Sequence, residues 1–478
     1  MIRYLFFIVY AAILFGIGIY GMRRTKTFDD YFLGSRSIGP WLSAFTYGTA
    51  YFSAVLLIGF AGKLGWGFGF SALWVAVGNT FIGTMLAWIL IGKRIRNASL
   101  ELDVYTMPEY LHKRYDSHFL KIFGAIAIFI FLIPYAASVF LGLSYLFEIA
   151  FDINFNVILL IMAVFTGIYM ILGGFRSIAI VDFIQGVIMI FGVGMLVYFG
   201  ITKAGGLPEI VSKLDNIDPK LTGFIGPPGF FPLLFVVIIT SVAPLAMPQL
   251  IQKFYSIKDE RSIKIGTIVS TIFAVIITGA AYFTGSLTRV FINADKYPQI
   301  FSNGRPVVDK LIPIFIRDVI PSSISFVILL LVLSASMSTL ASLIFVSASA
   351  IVKDLYHGYS GKGVSEKKLN DLMRVFCGIF IIISVVFTVF KPAIILTLLL
   401  ISWGAIAAIF LAPFLYGLYW KRANKYAANI CAVMGAAITM VLFFALPASK
   451  IPLIATLGMG VPLLVFPIIV WLTPKAKE

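Results

Sequence analysis

The chain reads as an all-α polytopic membrane protein, on three observations. Of its 478 residues 60% are hydrophobic and only 12% are charged. The mean hydropathy is +1.00. Apolar runs of about 18 residues or more recur from end to end, each long enough to cross a bilayer of ~30 Å as a helix. Helices are the form such runs take, because a backbone in hydrocarbon has to satisfy its own N–H and C=O groups.

About thirteen spans follow in order, at roughly 20 apolar residues each. The first, Tyr4 to Gly21, has only Arg3 ahead of it, Arg23 and Arg24 behind it and no small-residue cleavage site, so it reads as a retained span rather than a leader. Trp41 to Ala61 and Phe68 to Gly92 come next and stop at Lys93, Arg94 and Arg96. Leu120 to Ile149 follows Lys113 and Arg114, and Val157 to Leu172 and Ile180 to Gly200 complete the first half. The seventh, Phe231 to Gln252, ends on Lys253, Lys258, Arg261 and Lys264, which lead into Ile265 to Phe291. Ile324 to Val352 precedes Lys362, Lys367 and Lys368, and Met373 to Phe390 and Ala393 to Tyr419 bring the chain to Lys421, Arg422 and Lys425. Ala427 to Leu446 and Ile454 to Leu472 close the series before Lys475 and Lys477.

With the N-terminus outside, all these basic clusters, together with Arg23, Arg24 and Lys26, face the cytoplasm, as does the C-terminus. About 25 of the 37 Lys and Arg then lie inside, as the positive-inside rule favours. The formal net charge of +16 is therefore topological. It sits in short loops rather than on one basic domain, which argues against nucleic-acid binding. Cys377 and Cys431 fall in apolar segments, and His112, His118 and His357 fall in separate polar connections. Neither a disulfide framework nor a resident metal centre is expected.

Chemistry enters in the ninth span. Leu333 to Ser349 places Ser334, Ser336, Ser338, Thr339 and Ser342 in a run with no carboxylate and no histidine. Such hydroxyls can bond back to their own helix, or help helices pack closely. Ser338 and Thr339, with the Ala335 carbonyl, also form a compact set of hard oxygens suited to a small monovalent cation. In the seventh span Pro244 and Pro248 cannot donate to the carbonyls of Thr240 and Pro244, which need other partners. The second span offers only Gly48 as a weak breaker, which leaves a break there open. Discontinuous helices opening two inverted repeats mark the binding site in many secondary transporters. On that pattern 40–205 is the first repeat and 206–425 the second. Residues 1–39 and 426–478 are additions to a single membrane domain.

Three runs carry a resemblance: YFLGSRSIGPW (Tyr31 to Trp41), GGFRSIAIVDFIQGVIM (Gly173 to Met189), and the SMSTL-containing span ending in KDLY (Lys353 to Tyr356). Together with LYGLYWKRAN (Leu415 to Asn424), they make the chain resemble the sodium:solute symporters, whose members carry proline, pantothenate, sialic acid or glucose. The resemblance implies a five-plus-five inverted repeat with alternating access, and Na⁺ as coupling ion with no other cofactor. It implies a sodium site on the carbonyls of Thr49, Phe52 and Ala335 and the hydroxyls of Ser338 and Thr339. A second sodium or coupling position would use Asp182 and Ser342, but Ala341 stands where two-sodium members carry another hydroxyl, which favours one sodium. The plainer reading of Asp182 is an interfacial partner for Arg176.

The solute pocket implied by the resemblance is lined by Tyr47, Ser53, Leu56, Tyr135, Thr240, Ser241, Pro244 and Met247, with Ser402 and Trp403 as additions. Single aromatics on membrane helices are more often packing residues than ligand contacts, and Tyr135 stands out because a buried phenol needs a partner. Tyr51 stands where proline carriers have aspartate and Thr240 where they have tryptophan, so the solute stays open among carboxylates such as pantothenate or a monocarboxylate, amino acids and sugars.

The function expected is thus uptake of a small organic solute driven by inward sodium flow across the cell membrane. No enzymatic activity is expected, because no paired nucleophile is apparent. The alternatives are a proton-coupled carrier, disfavoured by the scarcity of ionisable relays in the spans, and a transport-like sensor. A channel is disfavoured because no loop recurs that could build a selectivity filter. An odd number of spans puts the chain ends on opposite sides. A reporter fused after Glu478 is expected to be cytoplasmic and one before Met1 extracytoplasmic; both on one side would overturn the thirteen-span reading.

Overall fold

A computed structural model describes residues 2–24, 27–172, 174–302, 304–357 and 364–473. Gly173 of the second motif and Lys26, Lys362, Lys475 and Lys477 of the basic clusters lie outside the described residues. The protein is mostly helical. Its main segments are α1 (Ile2–Arg24), α2 (Pro40–Tyr51), α3 (Val55–Glu101), α4 (His118–Phe151), α5 (Phe155–Leu172) and α6 (Phe175–Ala204). They continue as α7 (Phe230–Ala246), α8 (Pro248–Tyr255), α9 (Glu260–Phe291), α10 (Ser325–His357) and α11 (Glu366–Val389). The chain closes with α12 (Ile395–Tyr419), α13 (Lys425–Ala445) and α14 (Ala448–Leu472). A two-residue antiparallel pair, Phe301–Ser302 with Arg305–Pro306, is the only sheet among the described residues.

Among the described residues nine of these helices are long and apolar enough to cross a membrane, and α7 with α8, bent by 43°, makes a tenth if the pair is one span. The expected first and fifth spans fall in α1 and α5, where the apolar stretches found among the described residues are Leu5–Gly21 and Phe155–Ile168. The expected second span is interrupted at Phe52, and its second part joins the expected third span in one helical run, Val55–Glu101, of 47 residues. At 1.5 Å per residue that is about 70 Å, twice a bilayer. It turns back at Gly69, whose φ of 59° only glycine adopts freely, and a Cβ there would meet the Leu221 carbonyl oxygen at 2.2 Å.

Helix ends in the polar connections are capped from the local sequence. Ser117 caps α4, Asp259 caps α9 (Ser262 N–H donating to Asp259 at 2.7 Å), Ser365 caps α11 and Asn424 caps α13. Burial then sorts the helices. The most apolar stretches of α10 and α12 are 94% and 89% enclosed by protein, against 33% for α11 and α13, so the first two are central and the latter two face lipid. α10 packs against α2, α4, α6 and α11, while α12 packs against α4, α13 and α14. α9 crosses the start of α3 so closely that a Cβ on Gly285 would meet the Ala61 carbonyl oxygen at 2.0 Å. Small residues at such crossings let backbones approach where no hydrophobic force pulls helices together.

One cap is made at long range. α12 has no local side-chain cap, and its Ile395 N–H donates to Asp309 Oδ2 at 3.1 Å. Asp309 lies outside the spans and is buried, which pushes its carboxyl up to about 6; the Ile395 N–H and the nearby Lys63 charge act against that rise. A carboxyl raised in the folded state contributes stability below its ordinary value of 3.8 and loses it as pH rises through about 6. The loss amounts to ~3 kcal/mol at most, at about 1.4 kcal/mol per unit. The melting temperature of the solubilised protein is expected to fall between about pH 4 and pH 7, and Asp309→Asn to flatten that step.

Candidate functional site

The site is built where two helices are interrupted. α2 ends at Phe52, whose φ of −105° and ψ of 87° leave the helical region, and Ser53 restarts the chain by accepting from Val55 N–H at 3.1 Å. The break comes four residues after Gly48, which stays helical. In the other span the helix ends at Met247, at φ −79° and ψ 117°, just before Pro248. The Thr240 carbonyl that Pro244 cannot serve accepts instead from the Tyr51 hydroxyl at 2.6 Å. With its amide oriented nitrogen-inward, Asn79 donates to the same carbonyl at 3.2 Å and to Thr240 Oγ1 at 3.0 Å. The two interrupted helices are therefore tied to each other at their breaks.

Behind the first break lies an oxygen-rich cluster. Thr339 Oγ1 has three carbonyls in reach: Ala335 at 3.1 Å, Thr49 at 3.2 Å and Ala50 at 3.4 Å. Ser338 Oγ donates to Thr49 Oγ1 at 2.8 Å, and Thr49 Oγ1 donates to the Phe45 carbonyl at 2.8 Å. Thr49, Ser338 and Thr339 are fully buried. Each hydroxyl has one proton, so acceptors outnumber donors. The other hydroxyls of α10 turn elsewhere. Ser336 bonds back to the Val332 carbonyl at 2.7 Å and Ser334 meets the Tyr10 hydroxyl at 3.1 Å. Ser342 is buried with its hydroxyl unpartnered among the described residues.

Asp182 on α6 is wholly buried and its nearest charge is Lys253 on α8, Nζ to Oδ2 3.9 Å. Arg176, the partner considered for it from sequence, is exposed, and six positions along α6 put it about 120° around the helix from Asp182. Lys253 escaped notice in the sequence because it reads as one more basic residue at the end of a span.

In front of the break is a small cavity of ≈ 10 Å³, room for about one water. Of the pocket residues expected from sequence, Ser53, Leu56, Tyr135, Thr240 and Trp403 line it. Tyr135 lies beside Ser53 and Trp403, its ring edge-on to the indole at 5.9 Å. Tyr47 is placed elsewhere, donating to the Gly83 carbonyl at 2.8 Å and packed on Trp88 and Phe254. Ser241 lies 3.4 Å from Asn79 behind the wall, Pro244 and Met247 form the bend itself, and Ser402 is buried away from the cavity. Tyr51, Asn79 and Tyr282 line it as well, with Phe52, Phe60 and Leu399 as its apolar part. The signal for Asn79 was available, since a lone amide in an apolar run is costly without a purpose; nothing local marks Tyr282.

Two interrupted helices meeting at a closed central cavity define a secondary-transporter fold. Comparison bears this out. The profile of the sodium:solute symporter family matches residues 31–435. The sodium/pantothenate symporter of Haemophilus influenzae (strain ATCC 51907 / DSM 11121 / KW20 / Rd) is 29% identical over 441 residues, covering 90% of this chain and 87% of its own. The osmoregulated proline transporter OpuE of Bacillus subtilis (strain 168) is 27% identical over 436 residues, covering 91% and 87%. The solved structure of a Na⁺-coupled sialic acid symporter, substrate-bound and outward-open, superposes with a TM-score of 0.83 at 19% identity over 100% of this chain and 99% of that one. The chain belongs to the sodium:solute symporter family. It is a multi-pass transporter coupled to sodium, not an enzyme.

Proposed function

We propose that inward sodium flow drives uptake of a small organic solute, neutral or zwitterionic overall, by alternating access across the cell membrane. The sodium ion is held by the carbonyls of Thr49, Phe52 and Ala335 and the hydroxyls of Ser338 and Thr339. The observation that carries the reading is the excess of oxygen acceptors over protons where Ser338 and Thr339 face the end of α2. A cation resolves that excess, and hard cations take about six oxygens. The solute occupies the cavity between the breaks, widened from its closed volume. Among the described residues lining it, tyrosine is the only titratable type, which favours a solute without net charge. Energetics agrees. About 100 mV contributes ~2.3 kcal/mol per charge and a tenfold sodium gradient ~1.4 kcal/mol, so one sodium concentrates a neutral solute roughly 500-fold but a monoanion only about tenfold.

The repeats 40–205 and 206–425 are supported by the matching breaks, each in the opening span of its half. With the ends at 1–39 and 426–478 they account for thirteen helical crossings, N-terminus outside. One observation favours a second reading, proton coupling: Asp182 and Asp354 are buried carboxylates in or beside membrane helices.

The solute is identified by a thermal-shift screen of amino acids, pantothenate, monocarboxylates and sugars with and without sodium. Tyr135→Ala and Thr240→Ala are expected to weaken that solute's binding about tenfold or more while leaving the sodium-induced shift in place. Sodium response lost with solute preference unchanged would reverse the assignment. Ser338→Ala with Thr339→Val is expected to raise the half-saturating sodium concentration for uptake by about 10- to 100-fold, at ~1 kcal/mol or more per lost ligand, in a protein still inserted. An unchanged sodium dependence would move the ion to Asp182 and Ser342, and uptake driven by a pH gradient without sodium would favour the proton reading.

A further inference from the structure

Asp182 and Lys253 form the one ion pair among the described residues with both side chains under 5% exposed: 0% for the carboxylate and 3% for the ammonium. Their separation of 3.9 Å exceeds a charge-assisted hydrogen bond, and neither Asp182 oxygen has a hydrogen-bond partner among the described residues. The Lys253 ammonium also lies over the ring of Phe175, at 5.1 Å. The hydroxyls of Thr46 and Ser338 lie beside Asp182, and Ser338 is the residue that donates to Thr49 in the oxygen cluster behind the first break. The carboxylate thus adjoins the cation cluster and shares a hydroxyl with it.

An ionised carboxylate enclosed this way needs a cation beside it, because the desolvation of an unpaired charge outweighs what packing returns. Three cations can serve: a proton, a metal ion, or an ammonium brought by the protein. Here the ammonium is in place. It is a compact point charge that neutralises without saturating the carboxylate's lone pairs. Without it, Asp182 with the Thr46 and Ser338 hydroxyls would be a second set of hard oxygens suited to sodium.

We propose that the Lys253 ammonium is a built-in cation standing at Asp182 in place of a second sodium, which fixes the stoichiometry at one sodium per cycle. This rests on the sodium-coupled reading above, and it adds a reason for one sodium that is independent of Ala341. It also assigns Lys253 a role in ion selectivity, since a second mobile cation at the carboxylate would meet the repulsion of the tethered one.

The test uses the full chain, purified, with radioactive sodium alone as the probe. The intact protein is expected to bind one sodium per chain with a Hill coefficient near one. Lys253→Met is expected to bind two with a Hill coefficient rising toward two, and Lys253→Met with Asp182→Asn to return to one. Two sodium ions on the intact protein, or one on a folded Lys253→Met, would overturn the proposal. Should Lys253→Met fail to fold, Asp182→Asn decides. One sodium still bound supports the tethered cation, and a sodium lost shows that Asp182 is itself an ion ligand. No sodium binding by the intact protein would overturn the sodium reading itself.

Discussion

Two interrupted helices inside a low-dielectric interior leave backbone groups that must find partners, and the arrangement of the protein's centre follows from where those partners are. The Thr240 carbonyl, orphaned by Pro244, is taken up by the Tyr51 hydroxyl at 2.6 Å. The carbonyls of Thr49 and Ala50, at the end of α2, lie within reach of Thr339 on α10. A break in α2 thus draws α10 to it, and the break between α7 and α8 draws α2. In the function proposed above, the same groups that hold the helices together would be those offered to an ion or a solute.

That economy explains why the oxygen cluster and the cavity are neighbours. The cluster lies behind Phe52 and is made of carbonyls and hydroxyls; the cavity lies in front and is walled by rings, with Tyr51 stacked on Phe52 at 4.3 Å and tilted toward Trp403 at 5.8 Å. An ion that pulls on the Thr49 and Ala335 carbonyls acts on the residues from which the Phe52 wall hangs. A ligand shifts a conformational equilibrium only by its differential affinity for the two states. The sodium site proposed above would supply such a difference, because the α2 end and α10 would have to be together for a cation to be fully coordinated.

Charge is handled with equal restraint. Thr106 Oγ1 donates to the buried Asp354 at 2.6 Å, and Glu109 accepts from the Tyr105 N–H at 2.9 Å, with Lys353 4.0 Å away. These groups lie around the end of α10, where a second cavity of ≈ 10 Å³ is lined by Pro248, Gln252, Ser349 and Asp354. Carboxylates enclosed among protein helices cost the fold stability and persist where charge or water has to pass.

The sequence by itself determined the membrane class, the segments that become helices, the interruption at Pro244 and Pro248, and the hydroxyl row on α10. These are local properties: apolar length, a missing N–H, a residue type that can offer oxygen. The resemblance carried by Tyr31 to Trp41 and the other runs named the family that comparison then showed. Ser338 and Thr339 stood out in the sequence, but that they reach α2 while Ser336 bonds back to its own helix was decided by how the helices pack. The break at Phe52 was decided by tertiary structure, since Thr339 and the Ser53 hydroxyl accommodate freed backbone that no local breaker announces. The same holds for the pairing of Asp182 with Lys253, 71 positions apart, and for the gathering of Asn79, Tyr135 and Tyr282 around one cavity. Contacts between distant segments depend on how helices are brought together, and a pattern of period 3.6 records only which face of each is apolar.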